Sequence, residues 1–103
     1  MTETTPPVVD REELSRYEIG VGDDVAYLAY RKKIGRISLD HTEVPEGLRG
    51  QGLAQRLARH ALEEARRTGE HVVVRCPFVT TWLKRHPEYN DLVIARVPDD
   101  RDS

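Results

Sequence analysis

Hydrophobic positions along this chain recur with two different periods. Arg16 to Ile19, Val25 to Arg31 and Ile34 to Thr42 are short runs rich in β-branched and aromatic residues. Val21-Gly22-Asp23-Asp24 separates the first two runs and Lys32-Lys33 the second two, so the pattern predicts three strands in an antiparallel meander. From Gly50 to about Thr68 the period changes. Leu53, Ala54, Leu57, Ala58, Ala61, Leu62 and Ala65 form one apolar stripe at i, i+3/i+4 spacing, and Gln55, Arg56, Arg59, Glu63, Arg66 and Arg67 take the other side. This is a long amphipathic helix, with Arg66 and Arg67 suited to the negative end of its dipole and Gly69 suited to its C-terminal cap.

Val72 to Cys76 then reads as a buried strand, Phe78 to about Arg85 as a short helix stopped by Pro87, and Asp91 to Arg96 as a last strand at a sheet edge. A strand, a helix and a second strand make a right-handed crossover, so 34–42 and 72–76 should be parallel neighbours. Open sheets with parallel strands take ligands beyond the carboxyl ends of those strands. Those ends are His41 to Val44 and Cys76, both beside the loop that opens the long helix. The expected class is α+β: an antiparallel meander plus a parallel strand pair around one long helix.

Composition narrows the picture without naming a ligand. At 103 residues the chain is one domain, enough for a single core that buries roughly 65% of the unfolded surface. The expected division is a disordered segment at 1–10, the domain at 11–96 and a charged tail at 97–103. Sixteen Lys and Arg stand against eighteen Asp and Glu, so neither nucleic acid nor membrane is an indicated partner. The helix arginines, interspersed with opposite charge, read as a solvated face. One cysteine, no apolar core of a signal peptide near Met1 and no apolar run of ~20 residues point to a soluble, cytoplasmic protein, expected to be a monomer.

The loop Arg49-Gly50-Gln51-Gly52-Leu53-Ala54 carries the chemistry. Two glycines remove side-chain obstruction, and the first amides of the helix have no intrahelical partner. The dipole leaves about +0.5 charge at that end, and Arg49 adds a bidentate donor, which together suit a phosphate or pyrophosphate. The pattern is neither G-x-G-x-x-G nor a nucleoside-triphosphate loop ending in Gly-Lys-Ser/Thr.

Arg49, Gly52 and Ala54 fit Arg/Gln-x-x-Gly-x-Gly/Ala, which resembles the acyl-CoA-binding motif of the GNAT N-acetyltransferase superfamily. His41-Thr42-Glu43-Val44-Pro45 before the loop, and Cys76-Pro77-Phe78 and His86-Pro87-Glu88-Tyr89 after the helix, resemble the compact GNAT-like subfamily of about a hundred residues. The resemblance covers roughly residues 14 to 95. It implies acetyl-CoA as cofactor, with the amides of Gly50, Gln51, Gly52, Leu53 and Ala54 on the pyrophosphate, Arg49 on a phosphate, and the main chain of Val44 on the pantetheine arm. It also implies transfer of an acetyl group to an amine on a small molecule or a protein.

Such transfer needs a neutral amine, and only about 0.1% of an ordinary lysine is neutral near pH 7.4. A positioned base supplies roughly 10²–10⁴-fold. If strand alternation continues, Ile37, Leu39, His41 and Glu43 share one face. Glu43 lies nearest the loop and is the better-placed base, through a water. His41 has the more suitable ordinary pKa, about 6.5. Either is equally readable as a strand-end histidine or a surface carboxylate. Cys76 has three readings: an acyl-accepting nucleophile, a proton donor to the leaving thiolate, or an ordinary buried cysteine. No paired ligand spacing suggests a metal.

Two departures from the family pattern stand out. Thr81-Trp82-Leu83-Lys84 has no tyrosine where many GNAT enzymes place their general acid, and Tyr89 or His86 are the remaining donors nearby. Only Gly20 to Asp24 bridges the first two strands, where the family usually builds a wall of the acceptor site. The alternative function is therefore a CoA-binding module without turnover, acting as a sensor or subunit.

Overall fold

The computed structural model describes residues 6–97, so residues 1–5 and nearly all of the expected C-terminal tail lie outside the described residues. Six strands form one sheet in sequential order: β1 (Val9–Arg11), β2 (Arg16–Val21), β3 (Asp24–Lys33), β4 (Arg36–Glu43), β5 (His71–Val74) and β6 (Val93–Arg96). The pairs from β1 to β4 are antiparallel, and β4–β5 and β5–β6 are parallel. Helices α1 (Leu53–Thr68) and α2 (Pro77–Lys84) fill the two crossovers, and Pro87–Leu92 is a 3₁₀ turn before β6. The meander, the parallel pair around the long helix and the edge position of the last strand are as the sequence implies.

Four readings are corrected. Residues 9–11 are a strand that begins inside the segment 1–10 expected to be disordered: Val9 pairs with Glu18, and the Tyr30 hydroxyl donates to Asp10. The β3–β4 turn is at Ile34-Gly35, not Lys32-Lys33, since Lys33 pairs with Arg36 and Gly35 supplies the positive φ of 79°. Helix α1 starts at Leu53 rather than Gly50, because Gly50 and Gly52 sit at φ 83° and 74°, outside right-handed helix geometry. The face shared by Ile37, Leu39, His41 and Glu43 does not exist either. Ala29 pairs with His41 but Tyr30 with Leu39, leaving Asp40 as the extra residue of a bulge. Paired residues share a face, so the bulge turns His41 and Glu43 away from Ile37 and Leu39.

Both helices pack on the face carrying Ile37, Leu39, Val72 and Val74. Two right-handed crossovers made in the same direction place them together, and Arg59 of α1 lies 5.4 Å from the Trp82 ring of α2. Leu57, Ala58, Ala61, Leu62 and Ala65 are buried there; the alanines let α1 approach the sheet closely. Ala54 leaves the stripe and is only half-buried. Gly69, at φ 80°, closes α1 by donating its amide to the Ala65 carbonyl.

Among the described residues no helix lies over the opposite face of the sheet. The one buried charge there among those residues is Glu18, which accepts from Arg16 Nε at 2.6 Å and Arg11 Nε at 3.2 Å. Burial pushes its carboxyl upward, and the hydrogen bonds from Arg16 and Arg11 more than offset this, holding it below the usual range. A lowered folded value gives stability that is full above the unfolded value near ~4.3 and lost as pH falls through the folded one. Glu18→Gln is expected to cost about 1–3 kcal/mol at pH 7 in urea unfolding, with the gap to wild type closing by pH 3.

Candidate active site

The loop between β4 and α1 leaves a set of backbone donors without partners. Arg56 is the first helical amide with an intrahelical bond, to the Gly52 carbonyl at 3.1 Å. The amides of Leu53, Ala54 and Gln55 therefore have no carbonyl within the helix, and no side chain caps them. They border an open cavity of about 490 Å³ that is also lined by Val44, Leu48 and Phe78. A Cβ built on Gly50 or Gly52 would meet nothing within 4 Å. Glycine is needed there for backbone conformation, and the space in front of it is open to a ligand.

Arg49 lines the same cavity and donates from Nε to the Val44 carbonyl at 3.2 Å, and its terminal nitrogens have no protein partner among the described residues. A second cavity, of about 210 Å³, shares Gln55 and Phe78 with the first and reaches Trp82, Arg85 and His86. The two form one trough along the N-terminal end of α1. Orphan amides, the positive end of a 16-residue helix and an arginine on the rim suit a phosphate-bearing ligand.

A main-chain cleft lies next to the trough. Pairing of β4 with β5 stops at Leu39–Val74, where the Leu39 carbonyl accepts from both Arg75 (2.9 Å) and Cys76 (3.1 Å). Beyond that point β4 continues to Glu43 paired only with β3, so the backbone edge facing β5 is exposed. Val44 follows directly. This opened edge can pair with the amides of an extended ligand.

The three catalytic candidates do not converge. His41 and Glu43 are on the uncovered face, exposed, with Nε2 and Oε1 3.1 Å apart and Tyr27 against the histidine at 6.2 Å between ring centroids. Cys76 is on the helix face, buried, with Sγ 3.1 Å from the Thr42 hydroxyl. It is the N-cap of α2 and not the end of a strand; its carbonyl accepts from the Thr80 amide and hydroxyl. Thr42 separates the two groups along β4, and the bulge at Asp40 puts it opposite Leu28 and against the thiol. Sequence reading missed Thr42; the signal was the broken alternation Ile37, Leu39, then Thr42.

Of the two alternative acids, Tyr89 is committed elsewhere, whereas His86 lines the second cavity. The Tyr89 hydroxyl donates to Glu63 and accepts from Arg59 Nη1 at 3.3 Å. Burial and then that hydrogen bond to Glu63 raise its pKa, making it a weaker acid. His86 stacks on Trp82 at 3.9 Å, and Trp82 stacks on Tyr89 at 5.7 Å. Trp82 is thus largely buried in the core, with both rings stacked against it. No group of three or more His, Cys, Asp or Glu able to hold a metal ion occurs among the described residues, and no helix there is long and apolar enough to cross a membrane.

If Cys76 accepts an acetyl group, intact mass after incubation with acetyl-CoA rises by one acetyl, and Cys76→Ala removes the adduct. Unchanged mass alongside normal turnover would exclude the covalent route.

Residues 16–92 match the family model described as GCN5-related N-acetyl-transferase. Protein NATD1 of Bos taurus is 35% identical over 66 residues, covering 62% of this chain and 58% of that protein, so the match spans less than two thirds of the relative. A GCN5-like protein from Staphylococcus aureus, solved by NMR in solution, superposes with a TM-score of 0.70 at 25% identity, covering 90% of this chain and 92% of that one.

Proposed function

The chain belongs to the GCN5-related N-acetyltransferase family, and from that premise we propose that it binds acetyl-CoA in the trough at the start of α1 and transfers the acetyl group to an amine. The observation that carries the reading is the set of uncapped Leu53, Ala54 and Gln55 amides facing a 490 Å³ cavity beside Arg49. Acetyl-CoA supplies an activated thioester. The amides of Gly52 to Gln55 and the Arg49 guanidinium hold the pyrophosphate, and the Val44 main chain meets the pantetheine arm where β4 parts from β5.

Glu43 takes the proton from the acceptor ammonium, through a water. His41, 3.1 Å away, orients the carboxylate and shares the charge. Thr42 holds the Cys76 thiol at the top of the cleft, where it donates a proton or remains a packing group. The two-residue turn Gly22-Asp23 builds no wall beside this end of the sheet, so the acceptor approaches an open surface.

A second reading is a CoA-binding module without turnover. It is favoured by the Tyr89 hydroxyl being tied to Glu63 and Arg59. Release of free thiol from acetyl-CoA, followed across a panel of small amines and lysine peptides, separates the two. Amine-dependent release supports the transferase. Tight binding with no release under any acceptor leaves the module.

A further inference from the structure

Carboxylates on the uncovered sheet face already have partners: Arg11 and Arg16 pair with Glu18, Arg31 pairs with Asp40, and His41 Nε2 lies 3.1 Å from Glu43. Lys33, Arg36 and Arg75 remain, with no side-chain partner among the described residues. They surround a cavity of about 170 Å³, together with Arg31, Ser38 and Val73. The whole chain carries a net charge of −2, so this positive cluster runs against the overall balance. Beside it, at the tip of the β3–β4 turn, Ile34 is fully exposed between Lys33 and Arg36.

We infer that this cavity anchors an acidic polypeptide segment whose amine is presented to Glu43 at the far end of β4. The inference rests on the transferase reading for the role of Glu43. Ser38 and Arg36 share their face with His41 and Glu43 because the bulge at Asp40 keeps all four on the uncovered side. A strand advances about 3.3 Å per residue, which puts His41 and Glu43 roughly 10 and 16 Å from Ser38. That span exceeds a small amine carrying its own carboxylate and equals three to five residues of extended peptide. The concave cationic site takes a carboxylate, and Ile34 offers an apolar contact that a simple anion has no use for.

The test uses two fluorescent peptides, each with one lysine four residues from a run of three glutamates or three glutamines. Binding to the full chain is read by anisotropy, beside calorimetry with acetyl-CoA. The expected result is binding of the glutamate peptide that weakens with salt, falls about tenfold or more in Arg36→Glu/Arg75→Glu, and is largely restored in Arg36→Lys/Arg75→Lys. Acetyl-CoA affinity should be the same in all three proteins, which also reports that they fold. Equal binding of the two peptides, or no effect of charge reversal, overturns the inference. Tighter binding of a short single-stranded DNA than of the glutamate peptide overturns it in favour of nucleic acid. Peptide binding with no acetyl-CoA binding keeps the anionic site and removes the transferase reading instead.

Discussion

Gly52→Glu is expected to abolish measurable CoA binding while the protein stays folded. Gly52 holds φ 74° directly before Leu53, and a side chain there projects into space with no neighbour within 4 Å. An L-residue in that conformation costs about 1–2 kcal/mol. The glutamate partly offsets this cost, because a carboxylate at a helix N-terminus satisfies orphan amides and complements the dipole. The same carboxylate then occupies the donors that a pyrophosphate needs. Hydrogen bonds to a charged group are worth about 1.5–3 kcal/mol each, so losing two weakens binding on the order of a hundredfold or more. Gly52→Ala carries the strain without the charge and should bind within roughly tenfold of wild type. Calorimetry on both variants, with circular dichroism for fold, checks this. Undiminished affinity in folded Gly52→Glu would move the cofactor elsewhere.

Glu43→Gln is expected to lower amine-dependent turnover by roughly 10²–10⁴-fold, with little change in the KM for acetyl-CoA. The amide keeps size and hydrogen bonding but accepts no proton. Glu43 is exposed and makes its side-chain contact to His41, so the substitution should leave stability nearly unchanged. Steady-state rates across pH distinguish it from its neighbour. If Glu43 is the base, His41→Gln costs less than Glu43→Gln. The reverse order, or loss of less than tenfold in both, would place proton removal on another group.

Much of the architecture is legible in residue order because local patterns agree with the fold. The alanine-rich stripe from Leu57 to Ala65 and Gly69 at its end state an element and its boundary. The glycine loop before α1 is legible for the same reason, since its glycines and its orphan amides are local properties. What was not legible depends on pairing between distant residues. Strand β1 exists because Val9–Arg11 finds an edge on β2 and Asp10 reaches Tyr30, which no local signal announces.

The bulge at Asp40 shows the same limit at the active site. Residues 37–43 alternate plausibly, yet one inserted residue reversed the faces of His41 and Glu43 and set Thr42 against Cys76. Asp40 itself is held by Arg31 Nε at 2.6 Å, from a neighbouring strand. The uncovered face with Lys33, Arg36 and Arg75 was equally hidden, because near-neutral composition conceals how charge is distributed in space.

The central claim is that the trough at the start of α1 binds CoA, and a calorimetric titration of the purified protein with acetyl-CoA, CoA and ATP tests it most directly. Saturable one-to-one binding of acetyl-CoA and CoA, at least about tenfold tighter than ATP, is expected. No binding of any of the three, or ATP bound as tightly as CoA, would contradict it.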